Sequence, residues 1–131
     1  LGDVYKRQIQ FNNNSVLIPL RKNLGEPNRK FGKIGFSVPS LSKPKAGLDY
    51  RYIMIINNIN YIRFDIPKIS NSQIKIIENN YETIEKEAIE YIESYIRVAN
   101  KGRVDRTARF RESSLINFHR ELNIADANNN C

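Results

Sequence analysis

The chain has 131 residues, 40% of them hydrophobic and 27% charged, which is room for one domain with a core and hardly for two. No apolar run approaches the roughly 20 residues that span a bilayer, and one cysteine (Cys131) and one histidine (His119) exclude a disulfide framework, a thiolate metal cluster and the multi-histidine zinc sites. Against 14 Asp+Glu stand 21 Lys+Arg, a net charge of +7 that points to a polyanionic partner, and a reducing cytoplasm is the expected location.

The first eight residues contain DVYKRQ (3–8), a mixed-charge run with no hydrophobic period. Back-translated as GAT GTG TAT AAG AGA CAG, it resembles a transposon-end sequencing adapter, so residues 1–8 are expected to be a translated adapter outside the fold. The natural sequence then enters mid-domain near Ile9, with a domain over 9–124 that lacks its first strands.

Strands come first. NSVLIPL (14–20) is apolar and β-branched, and Pro19 suits a strand end or a sheet edge. FGKIGFSV (31–38) alternates as a half-buried strand does. YRYIMII (50–56) and NYIRF (60–64) flank Asn57-Asn58, residues that tolerate the left-handed conformation of a tight hairpin turn. Two basic loops, RKNLGEPNRK (21–30) and PSLSKPKAG (39–47), lie between these strands. A small curved antiparallel sheet or partial barrel is the expected result.

The period then changes. Ser70-Asn71-Ser72-Gln73 fits a capping box. Ile74, Ile77, Tyr81, Ile84, Ala88, Tyr91, Tyr95 and Val98 form one apolar stripe of a long helix, which Asn79-Asn80 can break in two and Gly102 can stop. Its glutamates are expected on a solvated face that repels RNA. A short C-terminal helix follows Ser113 or Ser114 and buries Leu115, Phe118 and Leu122, and the tail 125–131 frays. The class is therefore α+β.

Charge is segregated along the chain. Residues 9–68 hold 10 basic and 3 acidic side chains, 73–96 hold 2 and 6, and 97–111 hold 6 and 1. Neither a phosphate-binding glycine loop, a nucleophile elbow nor a metal-ligand spacing occurs. The carboxylates of 9–68 are Glu26, Asp49 and Asp65, too few and too scattered for a metal-dependent nuclease. What the basic loops offer is cations, amides and hydroxyls.

Four blocks in order, IPLRKN (18–23), SKPKAGLDY (42–50), the helical series Ile69-Ser70, Tyr81, Ile84, Tyr91, Tyr95, and SSLINFHREL (113–122), resemble the toxins of type III toxin–antitoxin systems. These are the ToxN/AbiQ-like endoribonucleases, with the CptN/TenpN branch nearest. The resemblance covers about residues 14–124, and order and spacing carry it rather than any single block. It implies a barrel-like sheet decorated with helices, RNA cleavage without a cofactor or metal, and a role in phage defence. It also implies inhibition by a repeated RNA pseudoknot antitoxin that closes a ring with the toxin.

In such cleavage the RNA 2′-hydroxyl attacks the adjacent phosphorus in line, the bond to the 5′-oxygen breaks, and a cyclic phosphate and a 5′-hydroxyl remain. DNA lacks that nucleophile. The protein must hold the geometry, stabilise the phosphorane charge and move two protons. By the resemblance, the loop after Pro19-Leu20 carries the site: Arg21 on the phosphate, Asn23 orienting substrate, and Lys22 beside them. Family members read Ser-Ser-Pro-Lys where this chain reads Arg21-Lys22-Asn23, which leaves the proton-transfer group unassigned.

Lys45 is a second candidate catalytic cation, and Lys43 and Ser42 are candidate RNA contacts. Asp49 suits a turn cap or an ion pair, and Tyr50 suits the core. RVDRTARFR (103–111) supplies Arg103, Arg106, Arg109 and Arg111 as a surface tracking the antitoxin RNA, with Phe110 either stacked on a base or buried. His119 is an acid/base candidate or a structural side chain. The resemblance also implies site residues on strands before Ile9, so this chain alone is expected to be weakly active or inactive. Two rivals remain: a non-catalytic RNA-binding module using the same loops, and a protein-docking domain using the Tyr/Ile helix.

Overall fold

The structure is a computed structural model, and residues 9–57 and 69–125 are described. It is α+β, with three small open antiparallel sheets and two helices. The strands are β1 (Ile9–Phe11), β2 (Asn14–Leu17), β3 (Leu20–Arg21), β4 (Asn28–Arg29), β5 (Gly32–Lys33), β6 (Gly35–Ser37), β7 (Gly47–Asp49) and β8 (Met54–Ile56). The helices are α1 (Asn71–Asn79) and α2 (Tyr81–Asn100). In the sheets the strand orders are β1-β2-β8, β3-β7-β6 and β4-β5. The expected single curved sheet is thus divided.

The divisions fall at Pro19 and Ile34. NSVLIPL is not one strand: β2 ends at Leu17, and after Pro19, which has no amide to donate, β3 joins a different sheet. The freed Pro19 carbonyl accepts from the Asp49 amide at 3.0 Å. FGKIGFSV likewise divides at buried Ile34 into β5 and β6, whose partners lie in separate sheets.

A hairpin missing from the sequence reading opens the described chain. β1 and β2 pair antiparallel in the register Ile9 to Val16, and Asn12 and Asn13 form the turn at φ 50° and 66°. Two consecutive left-handed residues are what a two-residue hairpin with strand-matching twist requires. The expected second hairpin has a shorter first strand than 50–56: Tyr50–Tyr52 is a 3-10 turn, and the strand that follows, β8, pairs with β2. Its other strand, 60–64, lies outside the described residues, as do 1–8 and 126–131.

The helical half follows the sequence closely. Ser70 caps α1, accepting from the Gln73 amide while the Gln73 side chain accepts from the Ser70 amide. Gln73 then donates to the Val38 carbonyl at 2.9 Å, tying the helix start to the end of β6. The apolar stripe breaks at Asn80, and Gly102 beyond α2 takes φ 66°. Ile84, Ala88, Tyr91, Ile92 and Tyr95 are buried with Val16, Val38, Tyr50, Ile55, Phe110 and Leu115 in one cluster. The Tyr/Ile face therefore packs on the protein's own strands, which removes it as a docking surface. The short C-terminal helix is a 3-10 segment, Ser114–Phe118, capped by Ser113 and pinned by Ser114 Oγ donating to the Ile53 carbonyl.

A candidate nucleic-acid interface

Two backbone links bring the basic loops together. In the β3–β7 ladder Arg21 lies opposite Gly47, and one turn further the Leu24 amide donates to the Lys45 carbonyl at 2.7 Å. Around these links Arg21, Lys22, Asn23, Ser42, Lys43 and Lys45 are all exposed. The 40–46 turn is internally bonded: Ser40 and Lys43 exchange amide–carbonyl bonds at 3.0 and 3.2 Å, and the Ala46 amide donates to Lys43 O. Four cationic side chains thus stand on two adjoining, hydrogen-bonded turns.

Leu24 anchors the pair. It is 2% exposed, and its side chain occupies the space that Gly35 and Gly47 leave open. A Cβ on Gly47 would lie 2.5 Å from Leu24 Cδ2 and 2.6 Å from the Phe36 carbonyl; one on Gly35 would lie 2.4 Å from the Leu48 carbonyl. Such separations are well inside van der Waals contact, so glycine is needed at both positions.

Sequence reasoning missed Tyr52. The 3-10 turn that buries Tyr50 also lifts Tyr52 outward, leaving it 39% exposed. The Arg21 guanidinium carbon rests 4.3 Å from its ring centroid and that of Arg51 5.8 Å away. Arg51 is fixed in turn by Asp49, which is fully buried and accepts from Nε at 3.0 Å and Nη2 at 2.8 Å. Asp49 also caps the turn through the Arg51 amide. These are the two structural roles expected for it. The signal for Tyr52 was its place after Arg51 in an otherwise apolar run.

Tyr50 belongs to the core, as expected. Its hydroxyl donates to Glu87 Oε1 at 2.8 Å, and Glu87 also holds Lys33 Nζ at 2.5 Å. Burial first, then the Glu87 hydrogen bond, holds the Tyr50 hydroxyl protonated far above the usual phenol range. The expected solvated glutamate face holds for Glu78, Glu82, Glu90 and Glu93, which are exposed, although Glu90 also pairs with Arg109; Glu87 departs from it, half-buried against Lys33 and Tyr50.

The 103–111 stretch divides in two. Arg103, Arg106 and Arg111 are exposed, whereas Arg109 is buried at 9% exposure and is not a surface contact. Its guanidinium pairs with both Glu90 oxygens at 2.8 and 3.2 Å, and its Nε donates to the Lys33 carbonyl at 2.9 Å. The same group sits 5.1 and 5.3 Å from the Tyr91 and Phe110 centroids. Phe110 is buried, edge-on to Tyr91 and Tyr95. Arg109 therefore clamps this segment to α2.

His119 Nε2 lies 2.6 Å from the hydroxyl of buried Tyr95. Among the described hydrogen bonds none links His119 to the basic turns. No group of three or more His, Cys, Asp or Glu able to hold a metal ion occurs among the described residues, and no described helix is long and apolar enough to cross a membrane. Comparison with protein-family models, curated proteins and solved structures found no match.

Proposed function

We propose that this chain is an RNA-directed protein of the type III toxin kind, a metal-independent endoribonuclease acting in the cytoplasm and restrained by a repeated RNA antitoxin. The observation that carries the reading is the joining of the two basic turns by the Arg21–Gly47 pairing and the Leu24–Lys45 hydrogen bond. Cations on adjoining turns suit a single phosphodiester better than cations scattered over a solvated surface.

In this reading Arg21 and Lys45 neutralise the phosphorane, and Asn23 and Lys22 orient the ribose and the flanking phosphate. Arg103, Arg106 and Arg111 extend the contact to the antitoxin RNA, which closes the ring assembly that the family resemblance implies. Arg109 is excluded from that set by its burial.

A non-catalytic RNA-binding module is the second reading. Two observations favour it: the sole histidine is bonded to Tyr95, and Asp49 is committed to Arg51. Incubating RNA with the chain in chelator separates the two. Cleavage to a cyclic phosphate and a 5′-hydroxyl, lost in Arg21→Ala, supports the enzyme. Binding without cleavage supports the module.

A further inference from the structure

We infer that Arg21 and Tyr52 form a preassembled stacking platform for one unpaired RNA base, with Arg51 holding the tyrosine from the side. The inference rests on the RNA reading above and gives Arg21 a different role within it, because a guanidinium laid on a ring acts through its plane as well as its charge.

The geometry has three parts. Tyr52 is exposed although its neighbours Tyr50 and Ile53 are fully buried, so the turn that packs the core on either side pushes this ring into solvent. The Arg21 guanidinium carbon lies over that ring at 4.3 Å, close for a cation–π contact. Arg51, at 5.8 Å, is immobilised by two hydrogen bonds to fully buried Asp49 and so steadies the tyrosine without roaming.

Arg21 itself makes no salt bridge among the described residues, and its strand is fixed through the pairing with Gly47. Its outer face is a planar, weakly hydrated surface of the type on which bases stack. A base set there continues the order base, guanidinium, phenol. Lys22, Lys43 and Lys45 on the adjoining turns meet the phosphates on either side.

The ligand class follows. Bases paired in a duplex keep their faces covered, so the platform takes single-stranded RNA, and it takes any base because every base has a π-face. Without a nucleic acid the same contact would simply brace the turn. Base dependence of binding separates these roles, since a brace has no reason to distinguish a base from its absence.

The experiment compares a single-stranded ribo-oligonucleotide with an abasic ribose-phosphate oligomer of equal length, against the chain and its Tyr52→Leu, Tyr52→Phe and Arg21→Lys variants. The chain is expected to prefer the base-bearing oligomer by roughly ten-fold or more. Tyr52→Leu and Arg21→Lys should each remove most of that preference while leaving the salt dependence near that of the parent, and Tyr52→Phe should keep the preference. Should Tyr52→Leu fail to fold, Arg21→Lys and Tyr52→Phe still decide the matter. Equal affinity of the parent chain for both oligomers, or a preference that survives Arg21→Lys, overturns the platform and leaves the RNA reading intact. Absence of any salt-sensitive RNA binding by the parent chain overturns both.

Discussion

The amide of Leu24 donates to the carbonyl of Lys45 across 2.7 Å, which makes the two basic turns one hydrogen-bonded unit. The Leu24 side chain completes the joint by filling the space above Gly35 and Gly47. Gly47→Ala should therefore expel Leu24, cost about 2 kcal/mol or more through overpacking, and weaken RNA binding. Leu24→Ala should cost about 2–4 kcal/mol by leaving a cavity. Denaturant unfolding and RNA affinity, measured on the same samples, check both; unchanged stability in the Gly47→Ala variant contradicts the packing described.

Arg109 and Glu90 differ in what their loss should do. Arg109→Met removes the hydrogen bond to the Lys33 carbonyl and the stacking on Tyr91 and Phe110, and should cost about 2 kcal/mol. Glu90 is half exposed, so Glu90→Gln should cost less than about 1 kcal/mol at neutral pH. The sign of its pH dependence is fixed by the Arg109 hydrogen bond, which holds the Glu90 carboxyl below its ordinary range. A lowered folded pKa stabilises the ionised form, so that contribution is full above the ordinary carboxylate range and disappears as pH falls through the lowered value. Unfolding free energies of the parent and Glu90→Gln should thus converge in acid.

Tyr91 sets a limit at the alkaline end. Burial, partly opposed by the Ser113 hydrogen bond, pushes its hydroxyl up from 10.0 to about 12. The folded state then keeps a proton that the unfolded chain releases, so stability is undiminished below about pH 10 and falls between 10 and 12. At roughly 1.4 kcal/mol per unit the loss reaches up to about 3 kcal/mol. Tyr91→Phe should make that part of the stability curve, read by circular dichroism against pH, shallower; the remaining fall comes from Tyr50, whose hydroxyl is also held protonated by burial.

The helices were legible because their signals are local and redundant. The Ser70–Gln73 box, the Tyr91-Tyr95 stripe and Gly102 each marked their elements, and the structure keeps all three. The strands were legible as β but not in their boundaries, because Pro19 and Ile34 mark changes of sheet that depend on distant partners. Asn12-Asn13 carries the same left-handed signal as Asn57-Asn58, but only the short segment Ile9–Phe11 precedes it, too little to read as a strand. Within the candidate site, the meeting of the two loops could not be read, since it depends on a ladder between residues 26 positions apart, Arg21 and Gly47. Nor could the division of 103–111: nothing in RVDRTARFR distinguishes Arg109, which finds Glu90 in the fold, from its exposed neighbours.

The Asn12-Asn13 turn gives its own test. Both residues sit at positive φ, where glycine is at ease and a β-branched side chain is strained. Asn13→Gly should leave stability within about 1 kcal/mol of the parent, in the favourable direction, whereas Asn13→Val should cost about 1–2 kcal/mol. Thermal unfolding of the two variants measures the difference.

The central claim, that the paired turns are a phosphate-binding surface, is tested most directly by the slope of log affinity for a single-stranded RNA against log salt concentration. Each phosphate contact removed should lower that slope by about 0.7. Lys43→Gln with Lys45→Gln is expected to lower it by roughly 1.4 while the fold is retained, because both side chains are exposed. A slope identical to that of the parent chain would contradict the account.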